Sequence, residues 1–402
     1  MKYLLLIGDG MSGHPVKQLG GKTTMEAAKT PNMDFLASKG KVGLYKSVPD
    51  NLPPGSDVAN LSLLGYDPND YYTGRSPLEA ASMGVELGPN DMAFRTNLVT
   101  LVENGQTFIM EDYSAGHIST EEAHELIKAV DEGLKDEGVR FYPGVAYRHL
   151  MVMDCDTEDI TTTPPHDISD KEIRKFLPKG PVAEKLKDLM AKSREILKHH
   201  PVNEKRRNEG KLAATSIWLW GQGRAPKMNT FAEKFGKSGS LISAVDLMKG
   251  IGIYAGLDVI NVPGATGFID TNFEGKADYA VESLKEKDFV CVHVEAPDEE
   301  GHQGHIDGKV RAIELFDEKV VGRILAALKG TDFRVIVTND HPTPVELKTH
   351  VSEPVPFVLY DSTNEVEGPG RLNENTAKST GLVVERVEDF MPSLLNISTV
   401  IA

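Results

Sequence analysis

The sequence of 402 residues is poor in cysteine, has no excess of positive charge and has no long apolar run. Two cysteines, Cys155 and Cys291, cannot supply a disulfide framework, so a reducing compartment is the simplest setting for this chain. The formal net charge of −16 disfavours binding to nucleic acid or to an anionic membrane surface. Such an acidic chain is instead suited to collecting divalent cations.

No uninterrupted apolar stretch reaches the length that a membrane span requires. The N-terminal run in MKYLLLIGDG lacks the length and the small-residue cleavage site of a signal peptide. The best other candidate, ISAVDLMKGIGIYAGLDVI, is interrupted by Asp246, Lys249 and Asp258. We therefore expect a cytoplasmic protein with neither a membrane partner nor a nucleic-acid partner.

The apolar pattern predicts a doubly wound α/β core that is split by an inserted α+β cap. Core strands are predicted over KYLLLIG, KVGLYKSV, ATSIWLWG, GLDVINV, DFVCVHV, DFRVIVTND and PVPFVLY, with helices between them. The cap is predicted from the antiparallel-type strands MAFRTNLVTLV, QTFIME and VRFYPGVAYRHLMVMD. We place the core at residues 1–87 and 207–402, and the cap at residues 88–206.

Local signals mark several helix ends. Thr30 and Pro31 predict the start of a helix that stops at Gly40, and a second helix should run from Ser56 towards Gly65. The polar and basic segment HHPVNEKRRNEGK is interpreted as a connection that follows a long amphipathic helix.

Seven residues of ligand type lie in five short segments, at the ends of predicted core strands or in polar loops. The segments contain Asp9, Ser56, Asp298 with His302, Asp340 with His341, and His350. Ligands of open α/β sheets bind at the carboxyl ends of the strands. Carboxylates mixed with imidazoles suit Zn²⁺, Mn²⁺ or Fe²⁺ better than Mg²⁺ or Ca²⁺. The set is large enough for two metal sites, an arrangement that supports phosphoryl transfer.

Each of these residues has a simpler interpretation when it is taken alone. An aspartate after a strand is often a turn former, and Ser56 could be an ordinary helix N-cap. His305 could replace His302 as a ligand, whereas His293 alternates inside a strand and is expected in the core or behind a ligand. Only the joint placement of the segments favours a metal centre.

The same segments carry a family resemblance. GDGM, TPNMDFLA, GSDVANLSLLGYDP, YYTGRSPLEA, DEEGHQGH and NDHPTP, followed by His350, resemble in this order the cofactor-independent phosphoglycerate mutases of the archaeal type. That family belongs to the alkaline phosphatase superfamily, so the resemblance implies an alkaline-phosphatase-like core sheet with an inserted cap. The resemblance spans nearly the whole core and is looser in the cap.

The resemblance also implies a role for each core ligand. Ser56 would be the nucleophile that is transiently phosphorylated. One metal ion would be held by Asp298, His302 and His350, and the other by Asp9, Asp340, His341 and the Ser56 oxygen. The family interconverts 3-phosphoglycerate and 2-phosphoglycerate without 2,3-bisphosphoglycerate and without a nucleotide. Mn²⁺ is the favoured ion, with Zn²⁺, Co²⁺ and Mg²⁺ as alternatives.

The anionic substrate, a small phosphorylated hydroxy acid, needs cationic partners in this acidic chain. The candidates for substrate binding are Arg95, Arg148, Arg224 and Lys237, together with His117 and the pair His166 and Asp167. A solvated surface cation is the simpler interpretation of any one of them.

Two other classes of function remain open at this stage. A phosphatase, a phosphonate hydrolase or a homoserine-kinase-like enzyme could use the same core ligands, because the cap would select the acceptor. A non-catalytic metal-binding protein would not need the serine. No G-x-x-x-x-G-K-[ST] loop is present, which disfavours nucleotide use. The oligomeric state is left open.

Overall fold

The computed structural model describes residues 1–397 and residue 401. Its strands, in chain order, are β1 (Lys2–Gly8), β2 (Lys41–Tyr45), β3 (Asp91–Asn104), β4 (Thr107–Asp112), β5 (Val139–Tyr142), β6 (Arg148–Asp154), β7 (Ser216–Gly223), β8 (Gly239–Ile242), β9 (Asp258–Ile260), β10 (Phe289–Val294), β11 (Phe333–Thr338), β12 (Val355–Asp361) and β13 (Val383–Val384).

The α-helices, in chain order, are α1 (Thr24–Ala27), α2 (Pro31–Lys39), α3 (Ser56–Leu63), α4 (Pro68–Tyr71), α5 (Ser76–Ser82), α6 (Thr120–Leu134), α7 (Ala183–Lys198), α8 (Pro201–Asn208), α9 (Phe231–Phe235), α10 (Asp246–Tyr254), α11 (Phe273–Ser283), α12 (Ala296–Gln303), α13 (Ile306–Leu315), α14 (Gly322–Ala327), α15 (Glu374–Ser379) and α16 (Val387–Leu394). A π-helical segment, Phe316–Val321, joins α13 to α14. Among the described residues, no helix combines the length and the apolar character needed to cross a bilayer.

The chain divides into two compact units. The core unit contains Met1–Tyr72 and Lys227–Ala402, and the cap unit contains Thr73–Pro226. The predicted boundaries at 87/88 and 206/207 therefore differ from those of the structure. The difference arises because α5 and β7 both pack on β3. The assignment of ATSIWLWG to the core was wrong, since β7 pairs antiparallel with β3 in the cap sheet.

The core unit is built on an eight-stranded sheet in the order β13-β2-β12-β11-β1-β10-β8-β9. β12 runs antiparallel to its neighbours β11 and β2, and the other pairings in the sheet are parallel. This confirms the predicted α/β class with a large central sheet. The short strands β8 and β13 were not predicted, because four and two residues give little periodicity to detect.

The central strand β1 explains why the N-terminal apolar run is continuous rather than alternating. Leu4, Leu5, Leu6 and Ile7 are all fully buried. Leu4 and Leu6 pack in a cluster with α2, α11 and α13 on one face of the sheet. A strand that is covered on both faces must be apolar at every position. The loop that follows β1 therefore leaves the sheet at its middle, where the candidate ligands gather.

The observed helices test two of the local predictions. The helix α2 begins at Pro31 after Thr30 and ends before Gly40, as predicted. The segment HHPVNEKRRNEGK was wrongly interpreted as a connection, because Pro201–Asn208 forms α8. Arg206 holds this helix in the cap unit through an ion pair with Glu122 and a hydrogen bond to the Ala115 carbonyl oxygen.

The cap unit has an antiparallel sheet in which the first half of β3 lies between β6 and β7. The second half of β3 pairs with β4, and β5 lies outside β6. Apolar side chains of α6 and α7, including Leu126 and Leu189, pack with Phe94 and Leu98 of β3 in one cluster. The inserted unit is therefore α+β, as predicted.

One buried histidine should make the cap unit sensitive to acid. His149 is 3 % exposed, its Nδ1 accepts a hydrogen bond from the Gly144 backbone N–H, and burial lowers its pKa to about 3. The unfolded chain, whose histidine titrates near pH 6.5, then binds more protons than the folded chain below that pH. Folding stability is therefore lost as the pH falls below about 6.5.

We expect His149→Asn, which keeps an acceptor near the Nδ1 position, to reduce this loss. Between pH 7 and pH 5, the free energy of unfolding of the wild type should fall by about 2 kcal/mol more than that of the variant. Urea unfolding of both proteins at the two pH values measures the difference. Equal losses would contradict the assignment of the effect to His149.

Candidate metal centre and active site

The core ligands lie at the carboxyl ends of three adjacent parallel strands. Asp9 follows β1, Asp298 lies in α12 directly after β10, and Asp340 and His341 follow β11. Adjacent parallel strands end at the same edge, so residues that are hundreds of positions apart in the sequence meet there. Ser56 comes from the start of α3 and His350 from the loop before β12.

The first cluster contains Asp298, His302 and His350. His302 Nε2 lies 3.2 Å from Asp298 Oδ2 and 2.8 Å from His350 Nε2. His350 Nε2 lies 3.5 Å from Asp298 Oδ1. Asp298 and His302 are four residues apart, and α12 places both on one face, as predicted. The convergence of two imidazole nitrogens on one carboxylate is typical of a metal site.

The second cluster contains Asp9, Asp340 and His341, all fully or almost fully buried. His341 Nε2 lies 3.3 Å from Asp340 Oδ2 and 3.8 Å from Asp9 Oδ1. The rings of His341 and His350 stack with their centroids 3.8 Å apart. His341 can therefore be grouped with either set of ligands, with Asp298 and His350 or with Asp9 and Asp340.

The Ser56 hydroxyl joins the second cluster rather than capping its helix. Its Oγ lies 3.1 Å from His341 Nε2. The N-cap position of α3 is occupied by Gly55, and no side chain caps this helix end. The N-cap interpretation of the Ser56 side chain is therefore wrong, and the hydroxyl is directed at the ligand cluster.

The electrostatics of this edge fit a bound cation. Asp9 Oδ1 is buried and has no hydrogen-bond partner among the described residues. Burial, together with the charges of Asp340 and Asp298, raises the pKa of Asp9 well above its ordinary value. Buried carboxylates that crowd together without a counter-charge are destabilising, and divalent cations supply that charge. The oxygen and imidazole donors present here suit Mn²⁺ or Zn²⁺.

The first cluster shows the opposite shift in its carboxyl group. Burial alone would raise the pKa of Asp298, but hydrogen bonds to His302 and His350 hold this pKa well below its ordinary value. The hydrogen bond between Asp298 and His302 raises the pKa of His302 to about 9. His302 Nδ1 lies 3.0 Å from the Lys348 carbonyl oxygen, which accepts its proton and leaves Nε2 as the ligand atom.

Several supporting groups around the ligands come from distant parts of the sequence. Asn60 Nδ2 donates to Asp340 Oδ2 at 2.9 Å and to the Ser56 carbonyl oxygen at 2.9 Å. Asp57, which follows Ser56, accepts from the Tyr72 hydroxyl at 2.7 Å. The Thr343 hydroxyl donates to Asp298 Oδ1 and was not predicted.

Lys309 ties two of the ligand loops together. Its ammonium group is fully buried and donates to the Ser12 carbonyl oxygen at 3.1 Å and to the Thr343 carbonyl oxygen at 2.6 Å. Burial lowers the pKa of Lys309 to about 8. Its helix, α13, shows a helical repeat of apolar residues, but no local signal distinguishes Lys309 from a surface lysine. This link was therefore missed from the sequence.

Three of the candidate substrate residues lie near one another in the cap unit. The Arg95 guanidinium lies 4.1 Å from the ring centre of Trp220, and Arg95 Nε lies 3.0 Å from Glu79 Oε2. Burial, together with the charges of Arg75 and Arg148, lowers the pKa of Arg95 to about 10, although the charge of Glu79 acts in the opposite direction. The ring of His166 meets that of Trp220 edge-on at 5.4 Å. We call Arg75, Arg95, Arg148 and His166 the cap cationic cluster.

The other candidates are not members of this cluster, although Asp167 lies next to it. Arg224 is used structurally, through an ion pair with Glu158 at 2.9 Å and hydrogen bonds to the Asn90 and Cys155 carbonyl oxygens. His117 is exposed on the turn between β4 and α6. Asp167 is exposed, with its Oδ1 3.7 Å from His166 Nε2. His305 pairs with Glu300 at 3.2 Å. Its ring nitrogen is thereby directed at Glu300 rather than at the ligands.

Lys237 lies at the opposite edge of the core sheet from the ligands. It precedes β8, which starts in register with the first residues of β1 and β10. Its ammonium group lies 5.3 Å from the ring centre of Tyr3. The candidate ligands follow the carboxyl ends of β1 and β10, so Lys237 is not part of their site.

Comparisons with known proteins agree with this fold and identify a family. A family model described as 2,3-bisphosphoglycerate-independent phosphoglycerate mutase matches residues 37–203. A relative from Geobacter sulfurreducens, named a probable 2,3-bisphosphoglycerate-independent phosphoglycerate mutase, is 56% identical over 96% of this chain and 97% of its own. The mutase of that name from Methanosarcina acetivorans is 52% identical over 99% of this chain and 100% of its own.

Two solved structures share the fold. A protein from Pyrococcus horikoshii is 32% identical, with a TM-score of 0.84 over 99% of this chain and 98% of its own. A cofactor-independent phosphoglycerate mutase from Thermoplasma acidophilum is 26% identical, with a TM-score of 0.68 over 99% of this chain and 100% of its own.

The fold and the sequence together define the class as phosphoglycerate mutases that need no bisphosphoglycerate cofactor. The chain belongs to the 2,3-bisphosphoglycerate-independent phosphoglycerate mutase family. It is thus an isomerase that acts on a small phosphorylated substrate, as the resemblance implied.

Proposed function

We propose that this enzyme interconverts 3-phosphoglycerate and 2-phosphoglycerate through a phosphoserine at Ser56, at a centre that holds two divalent metal ions. One ion is held by Asp298, His302 and His350, and the other by Asp9, Asp340, His341 and the Ser56 oxygen. Mn²⁺ is the proposed ion, no nucleotide or bisphosphoglycerate takes part, and the reaction occurs in the cytoplasm.

The observation that carries this proposal is the position of the Ser56 hydroxyl. A serine that served only as a helix cap would accept a hydrogen bond from a backbone N–H in the first turn of the helix. Ser56 Oγ instead lies 3.1 Å from His341 Nε2. His341 can be grouped with either ligand set. The hydroxyl therefore lies beside the groups that would hold both ions.

Bound divalent ions would supply Lewis acidity, which lowers the pKa of a neighbouring hydroxyl and neutralises phosphoryl oxygens. The chain supplies the orientation. Asn60 bonds both to the Ser56 carbonyl oxygen and to Asp340, which fixes the serine relative to the ligands. Ser56 is the first residue of α3, and the positive end of the helix dipole there favours an anionic phosphoryl group.

The reaction proceeds by two transfers of the phosphoryl group. In the first, a bond forms from Ser56 Oγ to phosphorus, the bond from phosphorus to the C3 oxygen breaks, and the serine proton ends on that oxygen. The glycerate then turns so that its C2 hydroxyl faces the phosphoserine. In the second, the C2 oxygen takes the phosphoryl group and its proton returns to Ser56 Oγ. No water is consumed, which distinguishes this route from that of a phosphatase.

We propose that the substrate anion is bound by the cap cationic cluster. Arg95 is held rigidly by Glu79 and Trp220, and its planar guanidinium suits bidentate binding to a carboxylate or a phosphate. Arg148 is exposed and is therefore open to a ligand. The assignments of His117 and Asp167 remain sequence-based proposals, whereas Arg224 and Lys237 are dropped from the substrate site because of their positions.

Arg148→Met should raise the KM for 3-phosphoglycerate about tenfold or more, because a charge-assisted hydrogen bond to the substrate contributes about 1.4 kcal/mol or more. Steady-state kinetics in both directions measure the change. Arg140→Met, on the neighbouring strand β5, is the matched control and should leave the KM unchanged. Equal KM values for Arg148→Met and the wild type would remove Arg148 from the substrate site.

The proposed function is tested by an assay without added 2,3-bisphosphoglycerate. Metal-free protein is reloaded with Mn²⁺, and 2-phosphoglycerate formation is followed by coupling to enolase while free phosphate is measured in parallel. We expect mutase turnover that depends on the added ion, with little release of phosphate. Phosphate release without formation of 2-phosphoglycerate would instead identify a phosphatase.

A further inference from the structure

We infer that His293 is a positioning residue that orients Asp9 for metal binding, and that Ser243 sets the state of His293. His293 is in the central strand β10 and Ser243 follows β8, so both lie behind the ligands rather than among them. Both are buried, at 0 % and 3 % exposure.

The contacts form a linear chain that starts at the backbone. The Val245 backbone N–H donates to Ser243 Oγ at 3.0 Å. Ser243 Oγ lies 3.2 Å from His293 Nδ1. On the other side of the ring, His293 Nε2 lies 3.0 Å from Asp9 Oδ2. Three groups therefore connect the end of β8 to the carboxylate that follows β1.

The direction of each hydrogen bond follows from the donors and acceptors. An ionised Asp9 carboxylate can only accept, so His293 Nε2 must donate to it. Nδ1 of the neutral ring is left to accept the proton of Ser243 Oγ, which itself accepts from Val245. A neutral imidazole whose Nδ1 accepts must carry its proton on Nε2. That proton is donated to Asp9 Oδ2. The opposite tautomer would direct the Nε2 lone pair at the carboxylate.

The two carboxylate oxygens of Asp9 therefore have different roles. Oδ2 is occupied by His293, whereas Oδ1 has no partner among the residues that the structure describes and lies 3.8 Å from His341 Nε2. The donor on Oδ2 prevents the carboxylate from rotating, so that Oδ1 is presented to the second cluster. Outer groups of this kind typically change metal affinity by about 10–100-fold.

This inference rests on the proposed two-metal centre, and the test keeps the two separate. Mn²⁺ binding to the metal-free protein is measured by titration calorimetry for the wild type, His293→Leu, His293→Gln and Ser243→Ala. Gln can place an amide N–H near the Nε2 position, whereas Leu cannot donate. The cluster of Asp298, His302 and His350 is an internal control, because the ring of His293 is hydrogen-bonded to Ser243 and Asp9 and, among the described residues, not to this cluster. Urea unfolding of the metal-free proteins checks that each variant folds.

We expect two Mn²⁺ ions per wild-type chain. His293→Leu should weaken one of them by about 10–100-fold and leave the other unchanged, whereas His293→Gln should recover most of the loss. Ser243→Ala should weaken the same ion by a smaller factor, because the ring can then adopt either tautomer. Wild-type affinity in His293→Leu would overturn the inference, as would equal losses in the Leu and Gln variants. Failure of the wild type to bind Mn²⁺ would overturn the two-metal centre itself, and the inference with it.

Discussion

Ser56→Ala is expected to lower kcat for the conversion of 3-phosphoglycerate by about 10⁴-fold or more, because a covalent route loses its acceptor atom. The fold should survive, since the hydroxyl does not cap α3 and its one hydrogen bond among the described residues, to His341, is in the ligand cluster. Substrate affinity should change little, because the proposed cationic groups remain. The enolase-coupled assay and equilibrium binding of 3-phosphoglycerate measure the two effects.

Ser62→Ala is the matched control for this variant. Ser62 is in the same helix, is fully buried, and its hydroxyl has no hydrogen-bond partner among the described residues. Its loss should leave both kcat and KM at the wild-type values. A Ser56→Ala protein that retained a tenth of wild-type turnover would show that the phosphoryl group does not pass through this serine.

Asp9→Asn is expected to change the stability of the metal-free and metal-loaded proteins in opposite directions. In the metal-free protein, burial and the charges of Asp340 and Asp298 raise the pKa of Asp9. A carboxyl group with a raised folded-state pKa destabilises the fold as the pH rises past 3.8, because the unfolded chain ionises more readily. A neutral amide removes this cost, so the variant should gain about 1–3 kcal/mol at pH 7.

The metal-loaded proteins should show the reverse order. At about 1,000 times its dissociation constant, one ion stabilises the wild type by about 4.1 kcal/mol, and Asp9→Asn should lose this gain for one of the two ions, which exceeds its gain in the metal-free protein. Urea unfolding with and without Mn²⁺ measures both terms. Asp317→Asn is the control, because this buried carboxylate binds the backbone N–H groups of Asn32 and Met33 at the start of α2 and not the ligands. It should destabilise both forms equally.

The edge of the sheet that carries the candidate ligands could be predicted because its signals are local. A continuous apolar run such as KYLLLIG predicts a strand that is buried on both faces, and the polar residue that follows it must then lie at the sheet edge. Asp9 directly follows such a run, and Asp298, Asp340 and His341 come within four residues of the end of one. Parallel strands of one sheet end at the same edge, so these residues can be expected to lie at that edge even when the strand order is unknown.

The supporting groups could not be predicted, because their roles depend on packing between distant segments. Lys309 looks like an ordinary helical lysine, yet its ammonium group bridges two ligand loops. His293 had a weak signal, as a histidine in an otherwise apolar strand, but its bond to Asp9 depends on the pairing of β1 with β10. Lys348 contributes through its carbonyl oxygen, which no side-chain pattern could indicate.

The predicted boundaries of the cap were wrong for a related reason. The strand ATSIWLWG is nearly as apolar as the core strands, and composition alone does not show which sheet it joins. In the structure it pairs with β3, where Trp220 lies beside Arg95 and accepts the edge of the His166 ring. Sequence periodicity identifies a strand, but only the pairing assigns it to a unit.

The most direct test of the account is to trap the phosphoryl group during turnover. Mn²⁺-loaded enzyme is mixed with ³²P-labelled 3-phosphoglycerate, quenched in acid within milliseconds and digested, and the labelled peptide is identified by mass spectrometry. We expect the label on the peptide that contains Ser56, attached to the serine side chain. The Ser56→Ala protein should carry no label. Full mutase turnover with no labelled Ser56 at any quench time would contradict it.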